Sequence, residues 1–183
     1  MAKTAIVVLA DGFEEIEAVT PIDILRRAEV EVEVVGLEAE QVTGGHGIIF
    51  HADRVLGETE MPDAIILPGG KEGAENLAAS AKLAAILKAQ AEAGRLVAAI
   101  CASPGCVLAA HGLLDRKKAT CYPSFEERFD ESTTHVTEDV VLDGNILTSR
   151  GPGTAFAFGL ALCRELAGDA KADELAGRML YAR

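Results

Sequence analysis

Cys101 closes the run Leu96-Val97-Ala98-Ala99-Ile100, and Ser103-Pro104-Gly105 follows it directly. Five apolar residues without alternation read as a strand buried on both faces. A hydroxyl residue before a proline reads as the start of a helix. Cys101 is therefore expected at the bend between a central strand and the next helix, as in a nucleophile elbow. A helix N-terminus aimed at the sulfur would favour thiolate over thiol. Glu17 is the second candidate for chemistry. Helical spacing places Phe13, Glu17, Pro21 and Ile24 on one stripe, so its carboxyl could lie on a partly apolar face and hold its proton near neutral pH. Periodicity alone leaves it open whether Glu17 is special, and Glu14 and Glu15 suit solvated helix charges. Gly69 and Gly70, after Leu67-Pro68, could offer backbone N–H groups to a developing oxyanion.

The other three cysteines are less telling. Cys106 and Cys163 lie within apolar helical patterns and read as structural, while Cys121 falls on an expected strand and could face either way. His46, His51, His111 and His135 lie away from Cys101 in sequence, so a Cys-His hydrolase has no evident base. No CxxC pair or HExxH is present, and no metal site is expected.

The elements that must position these residues alternate between strand and helix. Thr4 to Leu9 reads as the first strand, Glu14 to Ala28 as a helix that Pro21 should kink, and Val30 to Leu37 as a strand with one wet face. Gly44 to Gly47 is a turn before a short strand at Ile48 to Phe50. Ala64 to Leu67 is a buried strand, and one or two helices fill Gly73 to Ala93 before Gly94. A short helix runs from Ser103 to about His111. Ala119 to Tyr122 reads as a strand, Phe125 to Phe129 as a helical turn, and Val140 to Thr148 as a hairpin about Asp143-Gly144. Helices over Ala155 to Ala167 and Ala170 to Tyr181 end the chain. This order predicts an α/β fold, a flavodoxin-like doubly wound, mostly parallel sheet with helices on both faces, in one domain over residues 1–183. Such sheets carry their sites at the carboxyl ends of the strands, where the first strand, Gly69-Gly70 and Cys101 would meet.

A net charge of −12 argues against a nucleic-acid partner. No apolar run approaches a membrane span, and Lys3 to Leu9 is unlike a signal peptide, so a cytoplasmic protein is expected.

Four motifs in order resemble the ThiJ/PfpI family, in its DJ-one-like, YajL-like bacterial branch. They are Ala10-Asp11-Gly12-Phe13-Glu14-Glu15-Ile16-Glu17, Leu67-Pro68-Gly69-Gly70, Ala99-Ile100-Cys101-Ala102 and Thr148-Ser149-Arg150-Gly151-Pro152-Gly153-Thr154. The resemblance implies a flavodoxin-like, class I glutamine amidotransferase-like fold and a homodimer. It makes Cys101 the elbow nucleophile, Glu17 its protonated partner, and Gly70 and Ala102 the backbone groups facing the sulfur. Tyr122 stands where many relatives carry a histidine, in a possible substrate pocket. Ala102 follows the cysteine where the protease-like branch has histidine, which counts against a peptidase. The activity implied is cofactor-free glyoxalase or deglycase chemistry on methylglyoxal, glyoxal or their early protein adducts. The alternative is a redox-sensing stress-protection protein or chaperone whose Cys101 oxidises to sulfinate.

Overall fold

The structure is a computed structural model and describes residues 2–181. A seven-stranded sheet forms the centre. Its strands are β1 (Thr4–Leu9), β2 (Glu31–Gly36), β5 (Arg54–Val55), β6 (Ala64–Leu67), β7 (Leu96–Ile100), β10 (Val140–Asp143) and β11 (Ile146–Ser149). Between these in sequence lie β3 (Gln41–Thr43) and β4 (Ile49–His51), a separate antiparallel hairpin, and β8 (Lys118–Ala119) and β9 (Thr134–His135), a separate parallel pair. The sheet order is β10-β11-β7-β6-β1-β2-β5, parallel throughout except for β10, which pairs antiparallel with β11. Every residue of β6 and β7 is buried, which is why neither strand alternates in sequence.

Helices α1 (Glu15–Arg27), α4 (Ala155–Ala167) and α5 (Asp169–Arg178) pack on one another in one layer. Helices α2 (Lys71–Ala79) and α3 (Ala81–Glu92) pack with the turns after Cys101 in another. The chain leaves β1 toward β2 in one direction and leaves β6 toward β7 in the other. Right-handed crossovers then put the two layers on opposite faces of the sheet. The reversal falls between β1 and β6, and the carboxyl ends of β1, β6 and β7 share one edge.

Most expected elements are present, with several corrections. Helix α1 runs as one element through Pro21, which is buried with Ile24 against Gly159 of α4. The alanine-rich stretch is two helices, because Ser80 ends α2 and its hydroxyl caps α3 by accepting from the Leu83 N–H at 3.2 Å. The segment after Cys101 is an irregular helix, π-helical over Pro104–Leu108 and 3-10 over Ala109–His111. Ser103 does not cap it; its buried hydroxyl donates to the Pro68 carbonyl, tying the bend to the end of β6. The expected strand over Ala119 to Tyr122 stops at Ala119. Beyond it the Thr120 N–H goes to the Thr148 hydroxyl and the Tyr122 N–H to the Cys101 carbonyl. The last helix ends at Arg178 rather than Tyr181. None of the helices in the described residues is long and apolar enough to cross a membrane.

Candidate active site

Cys101 occupies the last rung of β7. Its N–H donates to the Ser149 carbonyl at 3.0 Å, and its φ is +67°, a left-handed conformation that side chains other than glycine rarely adopt. The strain turns the chain sharply out of the sheet and leaves the side chain 8% exposed at the strand end. The elbow expected from the sequence is therefore present. The strong helix dipole behind it is not, because only an irregular five-residue turn follows.

Glu17 reaches the same point from α1 and is fully buried. Its Oε2 accepts the Gly69 N–H at 2.8 Å. Two bonds strap the start of α1 to the turn after β6: the Glu14 N–H donates to the Gly69 carbonyl at 3.0 Å, and the Glu17 N–H donates to Glu14 Oε2 at 2.7 Å. Gly69 is pressed between the two reactive groups. A Cβ there would lie 2.5 Å from Cys101 Cβ and 2.6 Å from Glu17 Oε2. The Gly69 N–H is thus committed to the carboxyl, and the backbone N–H groups facing the sulfur are those of Gly70 and Ala102.

Burial pushes the Glu17 carboxyl up to about 7; the Cys101 thiol and the Gly69 N–H pull against this, and nearby Glu14 adds to it. Burial also pushes the Cys101 thiol up, as does the Glu17 carboxylate, while the Gly70 and Ala102 N–H groups draw it down. The sequence expected the opposite direction for the thiol. Low dielectric and an adjacent anion both disfavour a second negative charge, so the two groups titrate as a pair that carries one negative charge between them. Glu17 Oε1 is buried without a hydrogen-bond partner, as expected of an oxygen that carries a proton for delivery.

The raised carboxyl makes stability depend on pH. Native Glu17 keeps its proton between its ordinary value of 4.5 and about 7, where the unfolded chain has released it, so its contribution falls as pH rises through that window. Glu17→Gln removes this loss. Its stability relative to wild type is expected to increase between pH 5 and pH 8 by up to about 3 kcal/mol in urea denaturation. A constant difference across that range would show that Glu17 ionises as in water.

Tyr122 stands above the elbow, its N–H donating to the Cys101 carbonyl at 2.9 Å. With Pro123 and Arg150 to Thr154 it lines a recess of about 190 Å³. Gly151 lies between the Tyr122 ring and Glu17 Oε1, so this recess adjoins the carboxyl. The Thr154 hydroxyl holds the loop, accepting the Gly151 N–H and pairing with the Ser149 hydroxyl. Sequence reasoning assigned Thr154 to capping α4 and missed the loop's place at the site. A larger cavity, about 360 Å³, sits at the ends of β1 and β2 and is lined by neither Cys101 nor Glu17.

Glu14 and Glu15 are buried rather than solvated. Glu15 accepts the His46 N–H at 2.7 Å and pairs with its ring Nδ1 at 2.8 Å. Two groups of metal-ligating side chains converge among the described residues, Glu14 with Glu15 and His46, and Cys121 with Glu126 and His135; neither includes Cys101. All four cysteines are free and buried.

A doubly wound α/β domain with a strained cysteine after its central strand, faced by a protonatable buried carboxyl, defines a class of reactive-cysteine proteins. The chain belongs to the DJ-1/PfpI family, whose family model matches residues 3–165. It is 40% identical to Protein dj-1beta of Drosophila melanogaster, across all of this chain and 99% of that one. Identity to the Glutathione-independent glyoxalase DJR-1.2 of Caenorhabditis elegans is 33%, covering 99% and 98% of the two chains. Among solved structures, oxidized Toxoplasma gondii DJ-1 superimposes with a TM-score of 0.95 at 42% identity over the whole of both chains.

Proposed function

We propose that the protein is a cysteine-dependent, cofactor-free glyoxalase or deglycase that takes small dicarbonyls, methylglyoxal and glyoxal, or their early protein adducts. The observation that carries this reading is the buried Cys101–Glu17 pair, in which one group is a nucleophile and the other titrates at about 7. Such a value suits a group that must accept and return protons at neutral pH.

In this mechanism Glu17 takes the thiol proton as the sulfur attacks the aldehyde carbon of methylglyoxal. The proton passes to the aldehyde oxygen, giving a hemithioacetal. Glu17 next removes the hydrogen on that carbon and returns it to the neighbouring carbon, leaving a thioester of the 2-hydroxy acid. Water hydrolyses the thioester, releasing lactate and restoring the thiol. One water is consumed and no external oxidant is needed, because one carbon is oxidised as its neighbour is reduced. The Gly70 and Ala102 N–H groups are placed to stabilise charge near the sulfur, and Tyr122 to close the recess over the substrate.

The name of the Caenorhabditis elegans relative supports the substrate class. The test is lactate formation from methylglyoxal without glutathione, followed by NMR in deuterated water. Conversion with partial retention of the aldehydic hydrogen at C2 is expected, because a buried carboxyl returns some of the proton it removed. No conversion above buffer would overturn the enzyme reading.

A second reading rests on the solved Toxoplasma gondii relative described as oxidized. Here peroxide converts Cys101 to sulfinate, which a protonated Glu17 would hold by a hydrogen bond. Under either reading the chain is proposed to be a cytoplasmic homodimer of the bacterial branch. Exposed Ile16 and Val19 on α1, with Ile48 and Ile49 beside the hairpin, supply apolar surface for that contact.

A further inference from the structure

We infer that Cys121, Glu126 and His135 form a binding site for a thiophilic divalent cation of the zinc type, separate from the Cys101–Glu17 pair. One ligand atom from each lies within 4.8 Å of the other two. Tetrahedral zinc with bonds of about 2.0–2.3 Å brings its ligand atoms to roughly 3.5 Å from one another. The gap is about an ångström. An exposed imidazole and a half-buried carboxylate close that distance by rotamer changes, without moving the backbone.

Three elements converge on the point. Cys121 follows β8, and its side chain is 1% exposed. His135 is held across from it by the β8–β9 ladder, in which Ala119 pairs with His135 and the Val136 N–H donates to the Ala119 carbonyl at 3.0 Å. Glu126 begins the single helical turn Glu126–Arg128, and its Oε2 is 3.9 Å from Cys121 Sγ. Phe129 packs edge-on against the His135 ring, with centroids 5.9 Å apart, which limits its orientations. A thiolate, an imidazole and a carboxylate make the mixed donor set that zinc accepts, leaving a fourth position open on the exposed histidine side for water.

The electrostatics agree. Burial and the neighbouring Glu126 push the Cys121 thiol up to about 12, so a thiolate forms here when a cation replaces the proton. Arg150 is the opposing positive charge. With thiolate and carboxylate both present, the two anions outnumber it.

Cobalt(II) is the probe, titrated into full-length protein stripped with a chelator. The expected result is one equivalent bound with a thiolate-to-cobalt charge-transfer band, displaced by zinc(II). The band should vanish in Cys121→Ser and persist in Cys101→Ser. His135→Ala, a change at an exposed residue that leaves the core intact, and Glu126→Gln should each weaken binding more than about tenfold. Any of three results would overturn the site: no band at millimolar cobalt, a band that survives Cys121→Ser or disappears with Cys101→Ser, or affinity indifferent to both His135→Ala and Glu126→Gln.

Discussion

Cys101→Ser is expected to lower dicarbonyl turnover by a factor on the order of 10³ or more, with the fold unchanged. The substitution is nearly isosteric, so the recess and the Glu17–Gly69 bond remain. The nucleophile does not: a hydroxyl is far less acidic than a thiol, and a carboxyl that titrates at about 7 cannot take its proton appreciably. Glu17→Gln should cost about 10² to 10⁴, the usual worth of a positioned acid–base group, because the thiol persists without an acceptor for its proton. Since the two act on the same proton, the double variant should be no slower than Cys101→Ser by more than a few-fold. The wild-type kcat/KM should rise with pH through about 7 as Glu17 becomes the carboxylate that accepts it. Steady-state rates of the three variants decide the matter. Retention of more than a tenth of the activity in Cys101→Ser would move the chemistry to another group.

Protonation at this pair is also where sequence reading reached its limit. The strand run before Cys101, the Asp11-Gly12 turn into α1 and the stripe through Phe13, Glu17, Pro21 and Ile24 were legible, because each depends on local periodicity and turn chemistry. The direction of the Cys101 shift was not. It depends on Glu17, 84 residues earlier in the chain, and on burial, both consequences of β1, β6 and β7 lying side by side. Glu14 and Glu15 misled for the same reason: an acidic run at a helix start looks solvated until the partners of each carboxylate, the Glu17 N–H and His46, are known. The short strands β3 and β5 have too few residues for a period to show. Ala119 to Tyr122 has strand propensity, but after Ala119 its backbone groups are taken by Thr148 and Cys101. The Cys121, Glu126 and His135 cluster belongs to the same category, being assembled by the β8–β9 ladder rather than by spacing.

The largest loss of stability from a single methyl group is expected at Gly70. Its φ is +82°, at the N-cap of α2, and an alanine there incurs about 1–2 kcal/mol for the left-handed backbone. The added Cβ would also meet backbone on the facing side: the Gly12 carbonyl oxygen, the Glu14 nitrogen at 2.8 Å and the Phe13 carbonyl carbon at 2.9 Å. None of these is the flexible end of a side chain, so overpacking adds about 1–3 kcal/mol. Gly70→Ala should therefore lose about 2–5 kcal/mol in urea denaturation and lower the Tm by on the order of 10 °C. Gly94→Ala separates the two contributions, since Gly94 has a φ of +70° and nothing within 4 Å of the point where the methyl group would sit. It carries the conformational cost alone and should lose about 1–2 kcal/mol. Equal losses at the two positions would mean that the approach of α1 to the Gly69-Gly70 turn is loose. The larger loss at Gly70 has a functional corollary, because the displaced backbone is the segment that sets Glu17. Wedging Phe13 and Glu14 away from Gly70 breaks the Glu14–Gly69 strap and withdraws the carboxyl from the Gly69 N–H, so activity in the folded fraction should fall along with stability. Close contact of two backbones, which only glycine permits here, is what brings a helix from one side of the sheet reversal to a cysteine on the other.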